Sequence, residues 1–181
     1  MPTEAILPNT ELSSFVNGYF LIDIENSDDE IPIRTYESGI SLGIPFGKPF
    51  KFHIGEPELD EKDNPIYHDF DKPFLFYNVT GEDTFWVKGD ARMIFVVFTE
   101  LGLQLFLNDK NPKYEEHLFP LSRLGIPIFN LMVKRKLRYN QDNHSGIQII
   151  EDELKRFFKK FHMEESHEEE FDLDTDFPFV P

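Results

Sequence analysis

The sequence predicts an α+β protein: an antiparallel β-sandwich or barrel over about residues 18–98, followed by two or three α-helices over about 100–162. Two observations predict the β part. Short apolar runs rich in β-branched and aromatic residues follow one another with no helical stretch between them, and proline recurs where a central strand would not tolerate it (Pro32, Pro45, Pro49, Pro57, Pro65, Pro73). The third observation is a change of period. After Phe98 the apolar spacing passes from two to three and four residues, which is the helical repeat.

The elements follow in order. Asn9-Thr10-Glu11 opens like a helix cap, with Leu12, Phe15 and Val16 at helical spacing behind it, for one or two turns. Gly18 to Ile24 reads as a strand closed by the polar run from Glu25 to Glu30. Further strands are expected at Ile31–Tyr36, Ile40–Ile44, Phe50–Ile54, Phe74–Val79, Thr84–Val87 and Arg92–Phe98. Met93 to Phe98 is apolar at every position, so it is expected at the centre of a sheet covered on both sides. Thr99 can cap a helix over Glu100–Leu107, on which Leu101, Gln104 and Leu105 share a face, and Pro127 suits the first position of another, with Ile128, Leu131, Met132 and Arg135 along one side. Ser145 and Gln148 have the spacing of a capping box. Behind it Ile147, Ile150, Leu154, Phe157, Phe158 and Phe161 form one apolar stripe.

Composition limits the functions open to such a chain. Its 181 residues suit one domain over residues 1–163, with residues 164–181 as an acidic tail or interdomain linker lacking any period. Those last residues hold eight acids and no Lys or Arg, which is half of the net charge of −16. So acidic a chain repels nucleic-acid phosphates and anionic lipid. The eight Lys or Arg between residues 134 and 160 are largely explained by a helix that places Glu151, Asp152 and Glu153 early and Lys155, Arg156, Lys159 and Lys160 late. There is no cysteine, no apolar run long enough to span a bilayer, and no cationic segment leading an apolar one at the N-terminus. Cytoplasmic location is therefore expected, without a membrane partner.

Candidate chemistry is sparse. Of the six histidines (His53, His68, His117, His144, His162, His167), none forms a His-x-His pair, and His53 with Glu56 is the nearest approach to a metal pair. The serines lie in caps and turns without a nucleophile elbow, and the glycine pairs at 39–47 have no Lys-Ser/Thr behind them to cradle phosphate. No metal, cofactor or catalytic residue is expected, and the chain reads as a binding protein, not an enzyme. What remains is an aromatic load of 20 Phe, 6 Tyr and 1 Trp. Phe20, Tyr36, Phe46, Phe52, Phe76, Phe85 and Trp86 suit the lining of an apolar cavity, to which Trp86, Tyr77 and Arg34 add polar handles. The same rings would also serve simply to fill a core. The stripe of Ile147, Ile150, Leu154, Phe157, Phe158 and Phe161 is wide enough to cover the barrel and also to meet a second copy of the chain.

Two segments together resemble the sensor domains of AraC-type transcription regulators. Pro8, Leu12, Phe15, Val16, Tyr19 and Phe20 are spaced like that family's opening Pro-x-x-x-Leu-x-x-Phe/Tyr-Ile-x-x-Tyr-Trp/Phe. Gly89, Ile94, Val96, Phe98 and Gly102 are similar to the stretch that ends its β part, with Glu100-Leu101 where a proline is usual. Leu118 to Phe161 suits the family's helix pair, and the likeness spans about residues 6–162. It implies a cupin-like barrel that binds a small-molecule effector, helices that pair two copies into a homodimer, and a DNA-reading domain of two helix-turn-helix units. No Arg-rich recognition helix follows residue 163, so DNA contact is expected only through a domain not present in this chain. A small cupin-type enzyme and a stand-alone protein–protein module are the rival readings.

Overall fold

A computed structural model describes residues 3–25, 29–34, 39–46, 49–78, 84–108, 118–124, 133, 135–137 and 142–168, with backbone alone at residues 3, 34, 39, 70, 78 and 161–168. The described residues form ten strands: β1 (Thr3–Ile6), β2 (Val16–Ile24), β3 (Glu30–Arg34), β4 (Gly39–Pro45), β5 (Phe50–Ile54), β6 (His68–Phe70), β7 (Phe74–Asn78), β8 (Thr84–Lys88), β9 (Ala91–Phe98) and β10 (Leu118–Pro120). Helix α1 covers Glu100–Leu107 and helix α2 covers Asn143–Glu168. The strands form two antiparallel sheets, A in the order β1-β2-β9-β4-β7-β10 and B in the order β3-β8-β5-β6. The expected α+β class, with an antiparallel sandwich ahead of helices, is what the chain adopts.

Sheet A lies between two cores, and strand alternation decides which side chain enters each. From β2, β7 and β9, Ile22, Ile24, Phe74, Phe76, Ala91, Met93 and Phe95 meet Phe50, Phe52, Phe85 and Val87 of sheet B. The intervening residues Tyr19, Leu21, Leu75, Ile94, Val96 and Phe98, with Leu42 and Ile44 of β4, meet the helices on the other side. Strand β9 is therefore central and covered on both faces, as its unbroken apolar run predicts. Burying each such side chain contributes about 1.5–3 kcal/mol, so β9, with β2 and β7 beside it, ties sandwich to helices.

Prolines sit where a missing N–H costs least: Pro32 on edge strand β3, Pro120 on edge strand β10, and Pro45 at the end of β4. The strands β1, β6 and β10 were not expected. Each has three or four residues, too few to display an alternation.

The helical layer is seated through its caps. The Asn9 side chain accepts from the Glu11 N–H (3.1 Å) and starts the 3-10 turn Thr10–Leu12. Thr99 caps α1 as expected, its hydroxyl oxygen accepting from the Gly102 N–H at 3.0 Å. The Thr99 N–H in turn donates to the Phe15 carbonyl (2.9 Å), which lies so close to Gly102 that a Cβ there would overlap the oxygen. This contact rotates α1 so that Gly102, Phe106 and Leu107 are buried, while Leu101 is 49% exposed and Gln104 is in solvent. The face expected to be apolar thus points outward.

The cap of helix α2 lies three residues before the expected Ser145. Asp142 accepts from both the Ser145 N–H (2.9 Å) and its hydroxyl (2.6 Å), so an aspartate caps the turn and the serine occupies its third position. The helix also runs through Glu168, past the boundary at 163 where the tail was expected to begin. Two buried carboxylates, both on α2, are each held by named donors. Glu151 accepts from the Asn9 N–H at 2.8 Å, and Glu153 accepts from Lys136 and from Arg156 (2.9 Å). The buried Tyr19 hydroxyl is pushed well above the ordinary phenol range, first by burial and then by the charge of Glu151. Of the expected middle helix, Pro127, Ile128, Leu131 and Met132 lie outside the described residues, whereas Val133 and Arg135–Leu137 are helical.

Because the Phe15 carbonyl cannot retreat without breaking its bond to Thr99, Gly102→Ala should cost about 2 kcal/mol or more and lower Tm by at least about 4 °C. Calorimetry reads this directly, and an unchanged Tm would contradict the proposed close approach.

Candidate functional site

Of the residues expected around a cavity, Phe52, Phe76 and Phe85 come together, Tyr77 and Trp86 are turned away as the strand period explains, and Phe46 joins the helix-side core. Phe52, Phe76 and Phe85 all point between the sheets and are fully buried. Phe52 and Phe85 stack at 4.7 Å, Phe76 meets Phe85 edge-on at 6.1 Å, and Phe85 meets Phe95 edge-on at 6.3 Å. Consecutive strand residues face opposite ways, so the neighbours of Phe76 and Phe85 are turned out of this interior. Tyr77 lies half-buried on the helix side of sheet A, and Trp86 lies half-buried on the outer face of sheet B. Arg34 ends β3 opposite Thr84, its side chain outside the described atoms, and Tyr36 lies outside the described residues. The interior is thus lined by phenylalanine without the expected Trp and Tyr handles. Half-buried Phe20, Ile31, Ile54 and Leu118 pack against it.

The stripe expected at a dimer interface is largely used within the chain. Ile147, Ile150, Leu154 and Phe158 are buried against sheet A and the N-terminal turn, with Phe158 stacked on Phe15 at 4.5 Å. Phe157 is half-buried beside Phe106 at 5.1 Å, and the Phe161 side chain is outside the described atoms. This corrects the expectation for the four buried residues: a side chain already covered by its own sheet has no surface left for a second copy.

The outer face of sheet B carries a polar cluster that the sequence reading missed. Register places Pro32, Trp86 and His53 in one row across β3, β8 and β5, and Glu30, Lys88 and Lys51 in the next. His53 is only 4% exposed. Its ring stacks on Trp86 at 5.9 Å with 16° between planes, and Tyr67, just ahead of β6, closes over it at 5.7 Å. The Tyr67 hydroxyl donates to the Glu30 carboxylate, and that bond pushes the phenol up to about 12. Lys88 Nζ stands 5.3 Å over the Tyr67 ring. The sequence reading paired His53 with Glu56, its nearest acid in the chain. The partner supplied by the fold is Glu30, two strands away. Alternation on β5 could have placed His53 with Lys51 on one face, but which strands flank β5 is not written locally.

Among the described residues no three His, Asp or Glu side chains stand close enough together to hold a metal ion, and no helix is long and apolar enough to cross a membrane.

In class, the chain is a two-sheet antiparallel sandwich with a helical layer against its larger sheet. No family model matches it, and no curated protein does. Two solved structures of ToxT from Vibrio cholerae are similar. One, an apo form from strain SCE256, has a TM-score of 0.43 at 12% identity, over 90% of this chain and 58% of that one. The other has a TM-score of 0.36 at 10% identity, over 86% of this chain and 57% of that one. The chain therefore spans less than two thirds of either protein's length. Neither likeness is close enough to carry an argument about function.

Proposed function

We propose that the chain is the effector-sensing domain of an AraC-type transcription regulator, acting in the cytoplasm and pairing two copies, with DNA contacted by a segment outside this chain. One observation carries the reading. The two sequence segments that bear the family resemblance fold into a single unit, with β2 paired along β9 and the Phe15 carbonyl seated between Thr99 and Gly102. Residues 85 or so apart in sequence are spaced alike because they build one junction, where the sandwich passes into the helical layer.

On this reading the effector is a small apolar molecule that enters past half-buried Phe20, Ile31, Ile54 and Leu118 towards Phe52, Phe76 and Phe85. Pairing uses apolar surface that the fold leaves wholly or partly uncovered, namely exposed Leu101 and half-buried Leu105 on α1 and half-buried Phe157 of α2.

Fusing the chain to a DNA-binding domain that represses only as a dimer tests the pairing. The fusion should repress a reporter with a palindromic operator, and Leu101→Asp should abolish repression while leaving the chain folded. Failure of the unaltered fusion to repress, or full repression by the folded variant, would overturn it. By itself, with a net charge of −16, the chain should leave DNA unshifted in a gel at moderate salt. A tight, sequence-specific shift would contradict the division of labour.

A further inference from the structure

His53 faces two oxygens with its two ring nitrogens. Nδ1 is 3.1 Å from the Gly55 carbonyl oxygen, and Nε2 is 3.6 Å from Glu30 Oε1 with no hydrogen-bond partner. Both oxygens only accept. A neutral imidazole has one N–H and one lone pair, so in either tautomer one nitrogen turns a lone pair towards an oxygen lone pair. The imidazolium alone offers a donor to each.

We propose that His53 and Glu30 form a proton-operated clasp: a proton taken up at Nε2 joins β5 to β3 across β8 and fastens the Tyr67 segment onto the outer face of sheet B. The proton comes from solvent and returns to it, and no bond other than N–H is made or broken. Burial opposes the cation, and the groups around the ring act in both directions. From β3, Glu30 supplies the carboxylate. From the segment ahead of β6, the Tyr67 hydroxyl donates to that carboxylate and holds it in place. From β8, the Trp86 ring lies flat against His53, an arrangement that favours a cation. Lys88 of β8 opposes it, but stands opposite Glu30 in register and over the Tyr67 ring. Lys51, on the strand of His53 itself, opposes it too and is exposed. With its phenol at about 12, Tyr67 remains a donor throughout. Histidine is the side chain whose charge changes between about pH 5 and 8.

The unfolded chain lacks the Glu30 contact. The clasp is therefore a property of the folded chain alone, closed when Nε2 carries its proton and open when it does not. Tyr67 closes the hairpin in which Ile66 N–H bonds the Glu58 carbonyl and Leu59 pairs with Pro65, so this is the segment that meets His53 less firmly once the proton has left. The proposal does not depend on the sensor reading.

Trp86, the single tryptophan of the chain, is the natural reporter, because an imidazolium stacked on an indole quenches its emission more than a neutral imidazole does. Emission of the intact chain should fall along one titration curve between about pH 8 and 5.5. His53→Gln should remove that fall, and Glu30→Gln should displace it to lower pH. A flat curve for the unaltered chain, a fall that survives His53→Gln, or a midpoint unmoved by Glu30→Gln would overturn the clasp. Nitrogen-15 spectra of the unaltered chain decide the matter should a variant fail to fold. Both His53 ring nitrogens should be protonated at about pH 5.5, and a bare nitrogen at either position at that pH would overturn the proposal.

Discussion

The rest of the structure depends on one constraint: sheet A must be covered on both faces at once. Its central strand β9 places Met93 and Phe95 in the sandwich and Ile94, Val96 and Phe98 under the helices, and these side chains are all nearly inaccessible to solvent. Neither half could leave such a strand half-wet without exposing several large apolar side chains, each at a cost of about 1.5–3 kcal/mol. The sandwich and the helical layer are therefore one folding problem. The close seat of Gly102 on the Phe15 carbonyl and the stacking of Phe158 on Phe15 are local consequences of it. At Gly43 the Phe74 ring occupies the space a Cβ would need, so the sandwich side is packed as closely as the helix side.

The same constraint separates the two faces of sheet B. Its inner face is committed to phenylalanine packing, so polar chemistry is confined to the outer row around Trp86 and His53, where the edge strand β3 and the Tyr67 segment supply partners. A ligand-responsive interior and a proton-responsive exterior would then be read out through one sheet. Both would reach the helices only through sheet A, because sheet B makes no part of the helix-side core.

What the sequence makes legible are features that depend on nearest neighbours along the chain. An apolar run with no polar face can only be a doubly covered strand, and Met93–Phe98 is one. Thr99 ahead of Glu100 caps α1, and the α2 stripe follows from spacing alone. Features decided by which strands become neighbours are not legible. Phe85 and Trp86 must face opposite ways on any strand, yet only the pairing of β8 between β3 and β5 settles which of them is inside. His53 finds Glu30 for the same reason, across a register the local sequence does not encode. The α2 stripe could equally have met a second copy or its own sheet, and the N-terminal turn with Phe15 fills the place a partner would need. Asp142 takes the cap from Ser145 because a carboxylate can accept from both the Ser145 N–H and its hydroxyl.

Native-state hydrogen exchange on the intact chain tests most directly whether sheet A binds both layers into one unit. The amides of β9 and the buried turns of α2 should exchange with the same free energy, equal to that of global unfolding, and should do so unchanged on dilution. Exchange from α2 that is far faster than from β9, or that quickens as the chain is diluted, would mean that the helix is covered by a second copy and not by its own sheet.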